Sequence, residues 1–338
     1  MFEGVKKFLP ILTLICCASY AQDSLVASAP VFISGELKQV SDSISYDHPS
    51  YLHKEKPNKN RIYIAAAGST AWYTGSLVAL SNAWYTNYPQ SSFHFFNDNI
   101  DWLQVDKAGH VFSAYTAGKW SMELWRWAGL SRNQRIWIGG LSGTAFLTVV
   151  EVLDGFSSGW GFSIGDLGAD FAGSGLVIAQ ELAWKEQRVQ VKFSFHRKTY
   201  NDPVLNQRAD DLFGRRTLER MLKDYNGQTY WLSANLKSFC KRSNFPPWLN
   251  IAIGYGADGM FGGTENIVKD KNGQVVFNRS DISRYRQWYL APDIDLTKIK
   301  TKSRFLRSTF FLLNSLKFPA PSIGFSKKGI EWNWLHFQ

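Results

Sequence analysis

The hydrophobic pattern changes its period near residue 185, and this change constrains the fold more than any other feature of the chain. Between residues 61 and 184 the apolar residues recur at helical spacing, whereas several later segments alternate between apolar and polar residues. The two periods belong to different types of secondary structure. The sequence therefore predicts an α+β chain, a four-helix unit followed by an antiparallel β-rich region.

The helical half divides into four segments with short connections. They cover residues 62–85, 101–128, 136–153 and 164–184. Asp98 is predicted as the N-cap of the second segment and Gly129 as its stop. Ser163 and Asp166 form an S-x-x-D capping pattern at the start of the fourth segment.

The first helical segment is uncharged and rich in small residues. Gly68 and Gly75 lie a heptad apart in it, which predicts a close approach to a neighbouring helix. Its length suits either a bilayer span or the central helix of a soluble bundle. The mean hydropathy of −0.23 favours an exported, membrane-associated protein over a chain with several membrane spans.

The second half contains six segments with strand-like composition, separated by turn-like stretches such as DYNGQ and DKNGQ. They cover residues 189–195, 228–236, 248–256, 286–296, 304–313 and 330–337. Six strands are too few for a standard outer-membrane barrel. The alternatives are a small sheet packed on the helical unit and a sheet partly embedded in a membrane.

The N-terminus has the features of a secretory signal peptide. Lys6 and Lys7 precede an apolar run, and small residues stand before Gln22, so cleavage after residue 21 is predicted. Cys16 follows Ile15 rather than the small residue of a lipoprotein signal. Removal of residues 1–21 leaves Cys240 as the single cysteine, which excludes an intramolecular disulfide in the mature chain.

The chain is therefore divided into a signal peptide (1–21), an extended arm or linker (22–60), a helical unit (61–185) and a basic, aromatic-rich β region (186–338). Residues 185–338 hold 26 Lys and Arg against 13 Asp and Glu. In an exported protein this surplus indicates anionic lipid, lipopolysaccharide or wall polymer as the partner, or simply a soluble basic face. Export argues against nucleic acid as a partner.

Polar residues occur in pairs on three of the four predicted helices. Two residues three or four positions apart share a helix face. The candidate polar site consists of Asp106, Lys107, His110, Glu151, Asp154, Asp166 and Asp170. Buried together, these carboxylates could not all stay ionised, so shared protons, Lys107 or a divalent cation would have to compensate.

Both a functional and a structural interpretation fit these residues. As a metal site, His110, Glu151, Asp154 and Asp170 would be the ligands, since carboxylate-rich helical cores are a known way to bind metals. As structural groups, Asp166 would cap a helix and His110 would be a hydrogen-bonded core histidine. No nucleophile elbow, P-loop, HExxH motif or dinucleotide fingerprint is present, so no catalytic residue is assigned.

A family resemblance rests on D-K-x-x-H, then E-x-x-D, then S-x-x-D-x-x-A-D-x-x-G. The matching residues are Asp106, Lys107, His110, Glu151, Asp154, Ser163, Asp166, Asp170 and Gly173. This pattern resembles the YfiM-like family of bacterial envelope proteins and is distantly similar to the VanZ-like membrane family. The resemblance covers about residues 100–185. It implies a helical unit and a location in the cell envelope, but no reaction. With the signal peptide, the predicted location is the periplasm or the outer membrane of a Gram-negative bacterium.

Two functions therefore stand beside each other. The first is a non-catalytic, membrane-associated envelope protein whose basic half binds anionic envelope components. The second is a metal-assisted hydrolase or transferase acting on an envelope lipid or wall precursor. A convergence of His110, Glu151 and Asp170 would favour the second, and carboxylates held by Lys107 or by backbone donors would favour the first.

Overall fold

A computed structural model describes residues 57–85, 88–270 and 272–335. The predicted signal peptide and nearly all of the predicted arm lie outside the described residues. The helical unit consists of α1 (Lys59–Leu80), α2 (Val105–Ala128), α3 (Arg132–Asp154) and α4 (Ile164–Trp184). A π-helical turn extends α1 to Tyr85. The α+β fold class and the four predicted helices are confirmed.

The β region follows as a six-stranded antiparallel sheet with the strand order β1-β2-β3-β6-β7-β8. Its strands are β1 (Val189–Phe195), β2 (Gln228–Asn235), β3 (Leu249–Asp258), β6 (Tyr285–Ile294), β7 (Ser322–Ser326) and β8 (Gly329–Asn333). A separate hairpin contains β4 (Ile267–Lys269) and β5 (Val275–Asn278). Four further helices are α5 (Pro203–Phe213), α6 (Thr217–Lys223), α7 (Leu236–Phe239) and α8 (Arg304–Leu313).

The predicted strand at residues 304–313 is wrong, because this segment is helix α8. Ser303 accepts a hydrogen bond from the Leu306 amide, as an N-cap does. Arg304 and Arg307 are spaced by one helical turn, and a strand would have placed them on opposite faces. Sequence analysis also missed strand β7, the β4–β5 hairpin and helices α5 and α6.

The caps of the helical unit were predicted with mixed success. Gly129 ends α2 in the left-handed conformation, with φ of 89°. The Ser163 side chain accepts a hydrogen bond from the Asp166 amide at 3.1 Å and caps α4. The N-cap prediction for Asp98 is wrong, since Gln104 precedes α2 and the Asp98 side chain turns toward Ser163 instead.

Close helix packing occurs at glycines other than the two predicted ones. A Cβ atom at Gly68 or Gly75 would meet nothing within 4 Å, so α1 needs no glycine there. At Gly143 on α3 it would lie 2.4 Å from the Ala114 carbonyl oxygen, and at Gly173 on α4 2.4 Å from the Val111 carbonyl oxygen. These two glycines let α3 and α4 lie directly against α2.

The core joins the helices to the sheet. One buried cluster contains residues of α2, α3, α4 and β1, namely Tyr115, Met122, Ile136, Val177, Ile178 and Val191. A second connects Val105, at the start of α2, to Ala257 on β3 and to Met260. α2 is thus packed at both ends, which holds its first turn against the sheet. Within the described residues, α3 alone is long and apolar enough to cross a membrane, a criterion that core helices also meet.

Candidate functional site

The candidate site lies where the first turns of α2 and α4 meet the end of α3. Helix α2 contributes Asp106, Lys107 and His110, α3 contributes Glu151 and Asp154, and α4 contributes Asp166 and Asp170. All seven predicted residues are brought into one neighbourhood. The close packing of α2 against α4 at Gly173 places their polar faces within hydrogen-bonding distance of each other.

His110 lies at the centre of this cluster. Its Nδ1 is 2.9 Å from Asp170 Oδ1, and a histidine nitrogen so placed donates its proton to the carboxylate. Its Nε2 is 3.8 Å from Glu151 Oε1 and 3.8 Å from Asp166 Oδ1. Asp170 therefore fixes the orientation of the ring, and the second ring nitrogen faces two further carboxylates.

Lys107 links the carboxylates on the other side of the cluster. Its ammonium nitrogen lies 2.6 Å from Asp98 Oδ1, 2.7 Å from Asp166 Oδ1 and 3.6 Å from Asp106 Oδ2. Asp98 also accepts a hydrogen bond from Ser163 Oγ at 2.6 Å. Lys107 and His110 are the two cations in contact with the cluster among the described residues, against six carboxylates including Asp98.

Burial raises the proton affinity of these carboxylates. It is the main cause that raises the pKa of Glu151 to about 8 and the pKa values of Asp154 and Asp166 to about 7. Burial also raises the pKa of Asp170. Desolvation acts in the same direction on Asp98, but hydrogen bonds from Asp166, Lys107 and Ser163 outweigh it and lower the Asp98 pKa. The cluster therefore holds protons near neutral pH.

Burial has the opposite effect on His110 and by itself lowers its pKa. The hydrogen bond to Asp170 and the nearby charges of Asp106 and Asp166 outweigh this effect and raise the His110 pKa to about 10. Asp170 Oδ2 is buried and has no hydrogen-bond partner among the described residues. The cluster is thus a partly protonated site rather than a fully neutralised set of ion pairs.

Two tyrosines complete the site, and sequence analysis missed both. Tyr85 donates its hydroxyl hydrogen bond to Asp154, and Tyr225 donates one to Asp106 Oδ1 at 2.8 Å. Burial raises the pKa of each tyrosine, so both stay protonated donors. Tyr225 is 119 residues from Asp106 in the chain. No local pattern could have indicated that pairing.

An unusual backbone segment leads into the site. Trp102, Leu103 and Gln104 are consecutive non-glycine residues with φ of 48°, 50° and 68°, in the left-handed region that such residues rarely adopt. The Trp102 ring packs against Phe213 and Tyr225, and Tyr255 donates a hydrogen bond to the Leu103 carbonyl. Residues of the β region therefore hold the turn that precedes Asp106 and Lys107 and fixes their position. Strained left-handed backbone of this kind is often found at functional sites.

Three donor groups are placed to share a cation. One ligand atom from each of Asp106, His110 and Asp166 lies within 4.8 Å of the others. This set differs from the predicted one, in which Glu151, Asp154 and Asp170 accompanied His110. One imidazole with two carboxylates suits zinc or manganese, and a carboxylate behind the histidine is the usual support for such a ligand.

Comparison with known proteins gives one match. The family described as predicted periplasmic lipoprotein (DUF2279) matches residues 94–180, about a quarter of the chain. The matched region includes all seven predicted site residues and runs from before α2 into α4. No curated protein and no solved structure matches this chain. The similarity supports an exported envelope protein of unknown activity.

Proposed function

We propose that the protein is a membrane-associated envelope protein whose helical unit binds a divalent cation on Asp106, His110 and Asp166. The observation that carries the proposal is the convergence of these three residues from two helices, with Asp170 holding the other nitrogen of His110 at 2.9 Å. The similarity to predicted periplasmic lipoproteins over residues 94–180 supports the location in the envelope.

The separation of the donors supports a single shared ion. Three donors around one ion, each about 2.1 Å from it, are roughly 3.5 Å apart from one another. The three ligand atoms lie within 4.8 Å of one another, so a side-chain movement of less than about 1 Å on each closes the site. Asp106 is held by Tyr225 and His110 by Asp170, and both supports orient the ligands toward the shared space.

The charge of the site also favours a cation. Six carboxylates face one lysine and one histidine, and protons make up the difference near neutral pH. A divalent cation would replace those protons, including the one on His110 Nε2, and relieve the repulsion among the carboxylates. The Lys107 ammonium group lies 2.7 Å from Asp166 Oδ1 and therefore competes with the cation for that oxygen.

A bound cation would polarise an ester or phosphoryl oxygen, so the reaction class that we propose is hydrolysis or transfer on an envelope lipid or wall precursor. Glu151 is the residue positioned to accept a proton in that reaction. Its Oε1 lies 3.8 Å from His110 Nε2, and its Oε2 is held by the Ser163 amide at 3.0 Å. Because its pKa is raised to about 8, it can both take up and release a proton near neutral pH.

Metal analysis and Mn²⁺ titration of the purified protein test the cation site. Wild type should bind a stoichiometric Mn²⁺ or Zn²⁺, and His110→Ala and Asp166→Asn should each lose it. Asp281→Asn is the matched control, because it removes an exposed carboxylate outside the cluster. Since protons and the cation compete for the same oxygens, less cation should bind at pH 5 than at pH 8.

The Lys107→Met variant distinguishes two interpretations of the cluster: a site that binds a divalent cation, and a set of carboxylates neutralised by Lys107 and by protons. If the cation site exists, removal of the competing ammonium group should tighten Mn²⁺ binding. A wild type that binds no cation, together with a Lys107→Met variant that is only less stable, would overturn the proposal. Glu151→Gln should retain the cation while losing release of phosphate or fatty acid from lipid vesicles.

We further propose that the basic C-terminal half binds anionic envelope lipid. Residues 296–330 contain eight Lys and Arg and no Asp or Glu. Helix α8 lies in this segment and exposes apolar side chains beside its arginines, with Phe305 76% and Leu312 50% exposed. An amphipathic helix with cations beside an exposed apolar stripe suits the surface of an anionic bilayer.

Vesicle co-sedimentation tests this binding, with phosphatidylcholine alone or mixed with phosphatidylglycerol. Arg304→Gln with Arg307→Gln should weaken binding to the anionic vesicles by roughly tenfold or more, at about 1 kcal/mol per cation near the surface. The control pair Arg215→Gln and Lys269→Gln removes the same charge elsewhere and should have little effect. Equal binding to both vesicle types would contradict the proposal and leave wall polymer or lipopolysaccharide to be tested.

The narrower resemblance to YfiM-like and VanZ-like proteins stays a prediction, as does attachment to the outer membrane. Both follow from the DK-x-x-H, E-x-x-D and D-x-x-A-D patterns, whose residues meet in the cluster. Fractionation of cells that express the protein, with detection in inner-membrane, periplasmic and outer-membrane fractions, tests the location.

A further inference from the structure

One face of the six-stranded sheet carries apolar or aromatic side chains on every strand. Cross-strand partners share a face of a sheet, so the register defines continuous rows. The first row is Val191, Leu232, Ile253, Leu290, Ile323 and Trp332, and the second is Phe193, Tyr230, Tyr255, Trp288, Phe325 and Ile330. We define the apolar sheet face by two parts of these rows. It contains the first row from Leu232 to Trp332 and the second row from Tyr255 to Ile330.

The opposite face of the same sheet combines polar and small side chains with two aromatic ones, Trp231 and Tyr289, and it is buried from β1 to β7. Its residues include Gln190, Lys192, Ser233, Asn250, Ala252, Gly254, Ala291 and Asp293. Lys192 and Asp293 form an ion pair at 2.8 Å with both side chains fully buried. A sheet of a water-soluble protein buries its apolar face. This sheet buries polar side chains together with Trp231 and Tyr289 on one face, and it leaves a second set of large apolar side chains exposed on the other.

The helical unit covers only the β1 end of the rows. Val191 packs with α2, α3 and α4, and the Phe112 ring of α2 lies against Phe193 and Tyr230. Beyond that end the side chains are exposed, with Leu232 at 51% and Ile253 at 55%. The Leu103 turn partly covers Tyr255, but nothing among the described residues buries the rest of the apolar sheet face, and a patch of this kind marks a contact surface.

We propose that the apolar sheet face lies flat on an anionic lipid bilayer, with its side chains in the hydrocarbon boundary. Lipid is the occupant that the charges favour. The outward positions of β3, β6, β7 and β8 include Arg286 and no acidic residue. Lys327 lies at the turn between β7 and β8 at one end of the face, whereas Lys328 contacts Tyr285 on the opposite face. Lys241 and Arg242 lie in the connection to β3, toward the other end.

The details of the face agree with an interfacial rather than a spanning position. Trp288 and Trp332 are half exposed, and tryptophan favours the boundary between head groups and acyl chains. β8 is an edge strand, and an unpaired edge is not tolerated inside hydrocarbon. A face-on contact buries the side chains while the strand edge stays at the level of the head groups. The inference deepens the proposed lipid binding, but rests on different residues from helix α8 and is independent of the cation site.

Site-directed spin labelling tests the orientation with two adjacent residues of β8. Ile330 and Glu331 are both exposed but point to opposite faces of the strand. Ile330→Cys and Glu331→Cys would be labelled after Cys16, Cys17 and Cys240 are replaced by Ser. On phosphatidylcholine–phosphatidylglycerol vesicles the label at 330 should become accessible to oxygen and protected from an aqueous nickel chelate, whereas the label at 331 should remain accessible to the chelate.

Each other outcome overturns the proposal in a distinct way. Labels that are equally accessible to the chelate on vesicles would exclude contact of this face with lipid. Protection at 330 without vesicles that increases with protein concentration would assign the face to a second copy of the chain. Protection without vesicles at every concentration would assign it to another segment of the same chain.

Partition measurements supply the energetic test. Ile253→Asp and Leu290→Asp should each weaken vesicle binding by about tenfold or more. The reason is that burial of one such apolar side chain raises the binding constant by roughly 10- to 100-fold. Val276→Asp is the matched control, because Val276 is 63% exposed on the separate β4–β5 hairpin. The arginine variants of α8 should lose only the preference for anionic vesicles, whereas these variants should lose binding to both vesicle types. Unchanged unfolding midpoints without vesicles would exclude misfolding as the cause.

Discussion

Replacing Gly173 with alanine should destabilise the protein by about 3 kcal/mol, which is the usual upper range for forcing an extra methyl group into a packed interface. The new Cβ atom would lie 2.4 Å from the Val111 carbonyl oxygen and 2.9 Å from Ala114 Cβ. Both neighbours belong to α2 at the level of His110. Because a backbone oxygen cannot rotate away, α4 would have to move from α2, which would also stretch the contact between Asp170 and His110.

Gly175 on the same helix is the matched control. A Cβ atom there would meet nothing within 4 Å, so Gly175→Ala should stabilise the helix by about 0.5–1 kcal/mol through the better helix propensity of alanine. Urea unfolding curves of the two variants and the wild type give the comparison. A neutral Gly173→Ala variant would mean that α2 and α4 do not pack as closely as described, and the geometry of the site would have to be revised.

Lys192→Met should cost about 3–5 kcal/mol, the range for leaving one member of a buried ion pair without its partner. Lys192 is fully buried, lies 2.8 Å from Asp293 Oδ2, and donates hydrogen bonds to the Ile294 carbonyl and to Asn314. Removal of the ammonium group leaves Asp293 with Ser233 and the more distant Lys317 as compensation. We expect a lower stability of the whole sheet, because Lys192 lies on β1 and Asp293 on β6.

A double-mutant cycle and a surface control define this effect. The Lys192→Met/Asp293→Asn variant should lose less stability than the sum of the two single variants, because the second change removes the unpaired charge. Asp281→Asn breaks the ion pair of the mostly exposed Asp281 with Arg279 and should leave the unfolding midpoint nearly unchanged. Additive effects at positions 192 and 293 would show that the two charges do not interact in the folded protein.

The two segments at 164–184 and 304–313 show why local patterns predicted some elements and failed at others. The first has a capping serine, a long apolar period and small residues, and each of these signals is contained in the segment itself. The second is ten residues long and mixes phenylalanine and leucine with two arginines. Such a short run suits a strand or a helix by composition, and the N-cap at Ser303 together with the exposed surroundings decides for the helix.

The candidate site was predictable to the extent that its residues repeat along helices. The pairs Asp106 with His110 and Asp166 with Asp170 are one turn apart, so helical geometry alone places each pair on one face. The contacts of Asp154 with Tyr85 and of Asp106 with Tyr225 join residues that are far apart in the chain. No sequence spacing encodes those contacts, so the choice of ligands among the clustered carboxylates could not be made from the sequence.

The sequence by itself determined the change from helices to strands, the caps of α4 and the polar faces of α2, α3 and α4, because all of these depend on short-range hydrogen bonds and hydrophobic period. Only the tertiary structure decided which oxygen faces which nitrogen and which face of the sheet stays exposed. Both outcomes depend on the close contact at Gly173 and on the register of six strands. These are long-range arrangements that form only when distant segments pack together.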